Sequence, residues 1–143
     1  MKMKLAPLAF LPLLGACAPV MTTAAPTTVT TTAQYRAAPL RVGEDNPVLA
    51  AIVSLAPAAP RGEGRQPWRA EEIERNSLVL RSRAAVLNTR TFESTLRNLP
   101  YEMVFNAITA TNVTTVTATY SSQHEETAQY IFGQLDKKFQ RVK

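Results

Sequence analysis

Polar and apolar positions alternate most cleanly between Val113 and Ser121, where Val116, Ala118 and Tyr120 interleave with Thr115, Thr117 and Thr119. A period of two places these sets on opposite faces of a strand. Tyr101 to Thr109 is rich in aromatic and β-branched residues and reads as a second strand. Ala110-Thr111-Asn112 between them suits a turn, so the two strands are predicted to pair as an antiparallel hairpin. Upstream, Leu78, Leu80, Ser82, Ala84 and Val86 alternate with Val79, Arg81, Arg83, Ala85 and Leu87. This predicts a strand over 78–87 with two arginines on one face. A helical period also fits Leu80, Ala84 and Leu87, and the strand is the favoured reading.

Helical spacing is clearest at the end of the chain. Ala128, Ile131, Leu135, Phe139 and Val142 form one apolar stripe. Ser122-Gln123-His124-Glu125 before it matches a capping box, with Ser122 as N-cap and Glu125 reaching back. Lys137, Lys138, Arg141 and Lys143 gather where the helix dipole favours cations. Gly133 lies off the stripe, where it weakens the helix or admits a close neighbour. Phe92, Leu96 and Leu99 predict another helix, opened by Asn88 or Thr89 and ended by Asn98 and Pro100. Pro67 opens a short helix whose start carries Glu71, Glu72 and Glu74, with Trp68 and Ile73 as its buried residues. Asn46-Pro47 is a further start signal, giving an apolar helix over 47–56 that Pro57 and Pro60 stop.

These elements run α, β, α, β, β, α over residues 67–143. The expected fold class is therefore α+β: a small antiparallel-type sheet with helices packed on one face. Residues 46–66 contribute a short apolar segment and a loop. Residues 17–45, rich in Thr, Pro and Ala, lack core-forming side chains and are expected to be a disordered tether. A sheet this small leaves a face or edge open to a partner.

The first residues have a different character. Met1-Lys2-Met3-Lys4 precedes an apolar stretch from Leu5 to Leu14, too short to span a bilayer and interrupted by Pro7 and Pro12. Leu14-Gly15-Ala16-Cys17 follows. This segment resembles the lipobox of bacterial lipoprotein precursors. The resemblance implies a signal peptide over 1–16, cleavage between Ala16 and Cys17, and diacylglycerol plus a fatty acyl group such as palmitate on the Cys17 thiol. No other cofactor is expected. Ala18 in place of aspartate implies delivery to the outer membrane, facing the periplasm, in an organism with two membranes. The resemblance does not extend into the mature domain.

Composition narrows the chemistry. The chain has 143 residues, with Lys plus Arg 16 against Asp plus Glu 11, a net charge of +5. That length holds one small domain and excludes a large two-domain enzyme. Cys17 and His124 are the sole cysteine and histidine, which excludes a disulfide scaffold and a metal site of several His or Cys ligands. His124 falls in the first turn of the last helix, where a solvated side chain is expected. The acidic groups sit at predicted helix starts, and the glycines are scattered, so neither a carboxylate dyad nor a phosphate loop emerges. The arginines alternate with acids rather than forming the patch that nucleic acid requires. The expected role is non-enzymatic: a lipid-anchored accessory or adaptor of a membrane or secretion complex, with an envelope protein as partner. The alternative is a module binding an anionic envelope component, a lipid headgroup or polysaccharide, through Arg81, Arg83, Arg90 and Arg97.

Overall fold

Threonine, valine and alanine repeat every second residue through Thr28–Arg36, and this segment is a strand, β1. The computed structural model describes residues 25–85 and 99–143. The helix expected around Phe92 and Leu96 lies outside them. Chain order continues with α1 (Pro47–Leu55), β2 (Arg69–Ile73), β3 (Ser77–Ser82), β4 (Tyr101–Ala110), β5 (Val113–Ser121) and α2 (Glu125–Lys138). The five strands form one antiparallel sheet in the order β1-β5-β4-β3-β2, with both helices on one face. The α+β class expected from the pattern is thus the observed one.

Residues 28–36 correct the expected tether. Thr28 to Arg36 pair with Ser121 to Val113 in unbroken register. Ala33 and Tyr35 point into the core and are buried, while Thr30, Thr32 and Gln34 face outward. The segment contributes only alternate residues to the core, which is why its overall composition looked unable to fold. Thr27 extends the pairing, since its carbonyl accepts from the Ser122 N–H at 2.7 Å and its N–H donates to Ser122 Oγ at 3.1 Å. At the other end of β1 the C-terminal segment adds along the free side. Arg36 N–H donates to the Gln140 carbonyl, and Val142 N–H donates to the Gln34 carbonyl, each at 2.8 Å.

The helix expected from Pro67 is instead β2. Its acids face arginines on β3, and cross-strand pairing outweighs their suitability for a helix start. Trp68 is fully buried as expected, with its indole N–H donating to the Pro60 carbonyl at 2.9 Å, but Ile73 is exposed. The strand expected over 78–87 ends at Ser82, and Ala84 makes only an isolated bridge to Arg65.

Other elements follow their sequence signals. Asn46 Oδ1 accepts the Val48 N–H at 3.0 Å, Pro47 occupies the first turn, and α1 buries Val48, Leu49, Ala51 and Ile52. The last helix buries Ala128, Ile131 and Leu135, together with Thr127 and Phe132. Its entry differs from a capping box. Ser122 to His124 form a 3-10 turn, Ser122 Oγ serves Thr27, and Glu125 accepts from Gln129 Nε2 at 3.2 Å. Open space surrounds the Cβ position of Gly133, so this glycine admits no close neighbour within the fold. The core between the helices and the sheet is completed by Leu78, Leu80, Met103, Phe105, Ala107, Val116 and Ala118.

Candidate interaction surfaces

Arg81 and Arg83, expected to meet an anionic partner, are brought together at the β2 side of the sheet and meet acids of this chain. A bulge between Ala70 and Glu72 lets successive glutamates of β2 reach them. Arg83 grips Glu71 with two hydrogen bonds, Nε to Oε1 at 2.8 Å and Nη2 to Oε2 at 2.6 Å. Arg81 reaches Glu72 at 2.7 Å and Glu71 at 3.3 Å through Nη1, and Glu102 at 2.9 Å through Nε. The Arg83 hydrogen bond is the main cause that holds the Glu71 carboxyl below its ordinary pKa. With three carboxylates around two guanidiniums, the patch is not a net cation. Arg90 and Arg97, and likewise Ala16 and Cys17, lie outside the described residues.

His124 corrects another expectation. It is 5% exposed, not solvated. Its ring meets Trp68 edge-on, with centroids 5.3 Å apart and planes at 81°, and lies 4.5 Å from the Tyr101 ring. Arg65 covers that tyrosine, its guanidinium carbon 3.6 Å from the ring centroid, and donates to the Leu99 carbonyl at 2.6 Å. Burial is the larger cause, and the Arg65 charge the smaller, that lowers the His124 pKa from its usual value. Pro60 supports the group through its carbonyl, which accepts from Trp68 and from Thr127 Oγ1 at 2.8 Å. A cleft of about 180 Å³ opens beside it, lined by Arg61, Gly62 and Glu126 among others. The imidazole is wedged between rings, with Gln123 Nε2 at 3.4 Å as its polar neighbour. That setting suits a packing role better than proton transfer.

Of the exposed apolar residues, Leu99 adjoins Arg65 at the His124 end, whereas Val42, Ile73 and Ile108 gather around the turns on the other side of the sheet. The β4–β5 turn, the β2–β3 turn and the loop from Ala37 to Asn46 meet there. Ala37 N–H donates to the Asn112 carbonyl, and Asn46 Nδ2 donates to Thr109 Oγ1. Val42 is 95% exposed, and Ile73 and Ile108 are each 63% exposed. Ile73, Leu49 and Val53 line a cleft of about 260 Å³ between α1 and β2, rimmed by Asp45, Glu74 and Arg75. Arg75 also borders a second cleft beside Ile108 and Leu40. Sequence pattern missed this end because Ile73 was placed in a helix core. Its signal was an isoleucine between charged neighbours, Glu72 and Glu74.

Among the described residues, no three His, Cys, Asp or Glu side chains are placed to hold a metal ion. No helix there is long and apolar enough to cross a membrane, which leaves strand-based crossing unaddressed. No protein-family model, curated protein or solved structure matches the chain.

Proposed function

We infer that this is a lipid-anchored envelope protein acting as a non-enzymatic adaptor, holding a protein partner at the cleft between α1 and β2. The anchor rests on the lipobox-like Leu14-Gly15-Ala16-Cys17. The observation that carries the adaptor reading is the apolar cleft of Leu49, Val53 and Ile73 with its charged rim. Register places β1's entry at Thr28 beside Ser121, Ile73 level with Thr31 at mid-sheet, and Ile108 level with Gln34 toward the Arg36 and Val113 end. A partner suited to the cleft presents an aliphatic side chain beside a base, since Asp45 and Glu74 outnumber Arg75 on the rim. The alternative, binding of an anionic envelope component, loses support at Arg81 and Arg83, whose charge is already met by Glu71, Glu72 and Glu102.

The test is affinity capture from solubilised membranes with the wild-type chain, Ile73→Asp and Arg83→Ala. The adaptor reading expects one defined protein, retained at salt that screens surface charge, lost with Ile73→Asp and kept with Arg83→Ala. Capture of lipid or polysaccharide that disappears in salt and with Arg83→Ala would establish the alternative instead.

A further inference from the structure

The two edges of the sheet are built differently. The β2 edge is broken by its bulge and lined with Arg69, Glu71 and Glu72, features that discourage strand addition. The β1 edge has neither a bulge nor a charge from Thr28 to Thr32. Even-numbered residues of β1 turn their backbone groups away from β5, as the bonds of Gln34 and Arg36 to the C-terminal segment show. By the same alternation, the N–H and C=O groups of Thr28, Thr30 and Thr32 point outward. They have no backbone partner among the described residues.

This open stretch has definite ends. Gln140 to Val142 cover β1 at Gln34 and Arg36, so that edge demonstrably accepts an antiparallel strand. Pro26, with no N–H to donate, limits the other end. Thr30 lies at the midpoint between Pro26 and Gln34. We propose that β1 is a self-association edge: a second copy of this chain adds its own β1 antiparallel, with Thr30 facing Thr30 across a two-fold axis.

The register follows from that axis. Thr28 faces the partner copy's residue 32, and Thr32 faces its residue 28. Three facing pairs of this hydrogen-bonding kind give roughly six interstrand bonds. The segment Thr28–Thr32 is uncharged, so the two β1 strands themselves meet without like-charge repulsion. Its β-branched composition, Thr-Val-Thr-Thr-Thr, favours extended pairing. On the core-facing side of the edge lies a groove of about 360 Å³ between β1 and α2, lined by Thr31, Phe132 and Gly133 together with the charged Glu125, Asp136 and Arg141. Val29, half-buried, sits on the same side of β1. A second copy brings its own Val29 and Thr31 to this groove, where the empty space over Gly133 leaves room. The pairing is isologous and closes at two copies, because β2 offers no complementary edge for further growth.

The test uses the full chain in detergent, with Cys17→Ser so that an added cysteine is the sole thiol. Thr30→Cys is compared with Val42→Cys, a site 95% exposed in the loop after β1. Facing residues of a hydrogen-bonded pair stand about 5.5 Å apart at Cα, within reach of a disulfide. Mild oxidation is expected to convert Thr30→Cys to a covalent dimer at least ten times faster than Val42→Cys. Thr30→Lys, which keeps an exposed position exposed and sets two ammonium groups face to face, is expected to weaken dimerisation in sedimentation by tenfold or more. Circular dichroism of the lysine variant checks that the sheet is retained. Equal cross-linking at positions 30 and 42, or an unchanged sedimentation profile in Thr30→Lys, overturns the proposal. Capture of a different protein by the position-30 thiol in membranes, without the homodimer, overturns it in favour of a foreign strand. None of these readouts depends on lipid at residue 17 or on the Ile73 cleft.

Discussion

The Tyr35 hydroxyl donates a hydrogen bond to Asp136 Oδ1 at 3.0 Å, joining β1 to the last helix across 101 residues of chain. Burial, reinforced by that bond, raises the phenol's pKa and keeps its proton in place as the donor. Phe139 meets the same ring at a centroid distance of 6.1 Å, and Arg141 holds the other oxygen of Asp136 at 3.0 Å. The first strand is therefore locked by the end of the chain.

Tyr35→Phe keeps the ring and leaves Asp136 with Arg141, so the expected loss is about 1 kcal/mol. Tyr35→Ala empties a fully buried site and is expected to cost about 3–5 kcal/mol. Urea unfolding of a chain beginning at Ala25 measures both. Starting the chain after Arg36 instead is expected to abolish cooperative unfolding, because β5 and the C-terminal segment lose their partner. Limited proteolysis is expected to spare Thr28–Arg36 as it spares α2.

Leu135 and Ser122 separate core packing from surface contact. Leu135 is fully buried, and Leu135→Ala is expected to cost about 2–5 kcal/mol. Ser122 Oγ accepts one exposed N–H, that of Thr27, so Ser122→Ala is expected to cost about 0.5–1.5 kcal/mol. Melting of the variants beside the parent ranks them. A Leu135→Ala midpoint equal to the parent's would mean that the stripe is not core.

His124 predicts a pH dependence. Its folded-state pKa is lowered, so between the folded value and the unfolded value near 6.5 the unfolded chain binds more protons. The stability this residue contributes is complete above about pH 6.5 and declines as pH falls toward the lowered folded value. Denaturation midpoints measured from pH 7.5 to 5 are expected to fall on acidification, and His124→Phe is expected to remove much of that slope. A slope identical in the variant would assign the acid sensitivity to the carboxylates instead.

Thr111 has a φ of 56°, in the left-handed region that β-branched side chains resist. It is the first residue of the two-residue β4–β5 turn. Thr111→Gly is expected to stabilise the domain by about 1 kcal/mol, the steric relief exceeding the added chain entropy. A higher melting temperature checks it.

Anchoring rests on Cys17. Cys17→Ser is expected to abolish incorporation of radioactive palmitate and release the protein from the membrane fraction. Labelling that persists in the variant would remove the lipoprotein reading.

The hairpin, α1 and α2 were legible because each carries its own period and, for α1, its own cap. Strand β1 was not, because Val29, Thr31, Ala33 and Tyr35 form a correct alternation inside a background of threonine and proline. Its partner lies near the other end of the sequence. Glu71, Glu72 and Glu74 misled for a related reason: a helix start and an arginine-facing strand both use acids, and only the pairing with Arg81 and Arg83 separates them. His124 is not legible from sequence because the Ser122–Glu125 pattern that matches a capping box is a 3-10 turn, with the imidazole packed beside Trp68 and Tyr101. In the interaction surfaces, the arginines were visible as residues but not their neutralising acids. The cleft at Ile73 could be recognised only once β2 was known to be a strand.

The strand order has a kinetic consequence. In the sheet β1-β5-β4-β3-β2, the hairpin of β4 and β5 closes locally, whereas β1 waits for residues 77 (Arg36 to Val113) to 93 (Thr28 to Ser121) positions later. Loop closure over that distance makes its docking a late and slow event. While residues 113–142 are still held, by a ribosome or in a translocation channel, β1 is released but has no β5 or Gln140–Val142 to receive it. The earliest part of the domain to be made thus settles late, which keeps the chain threadable until β5 and Gln140–Val142 are free.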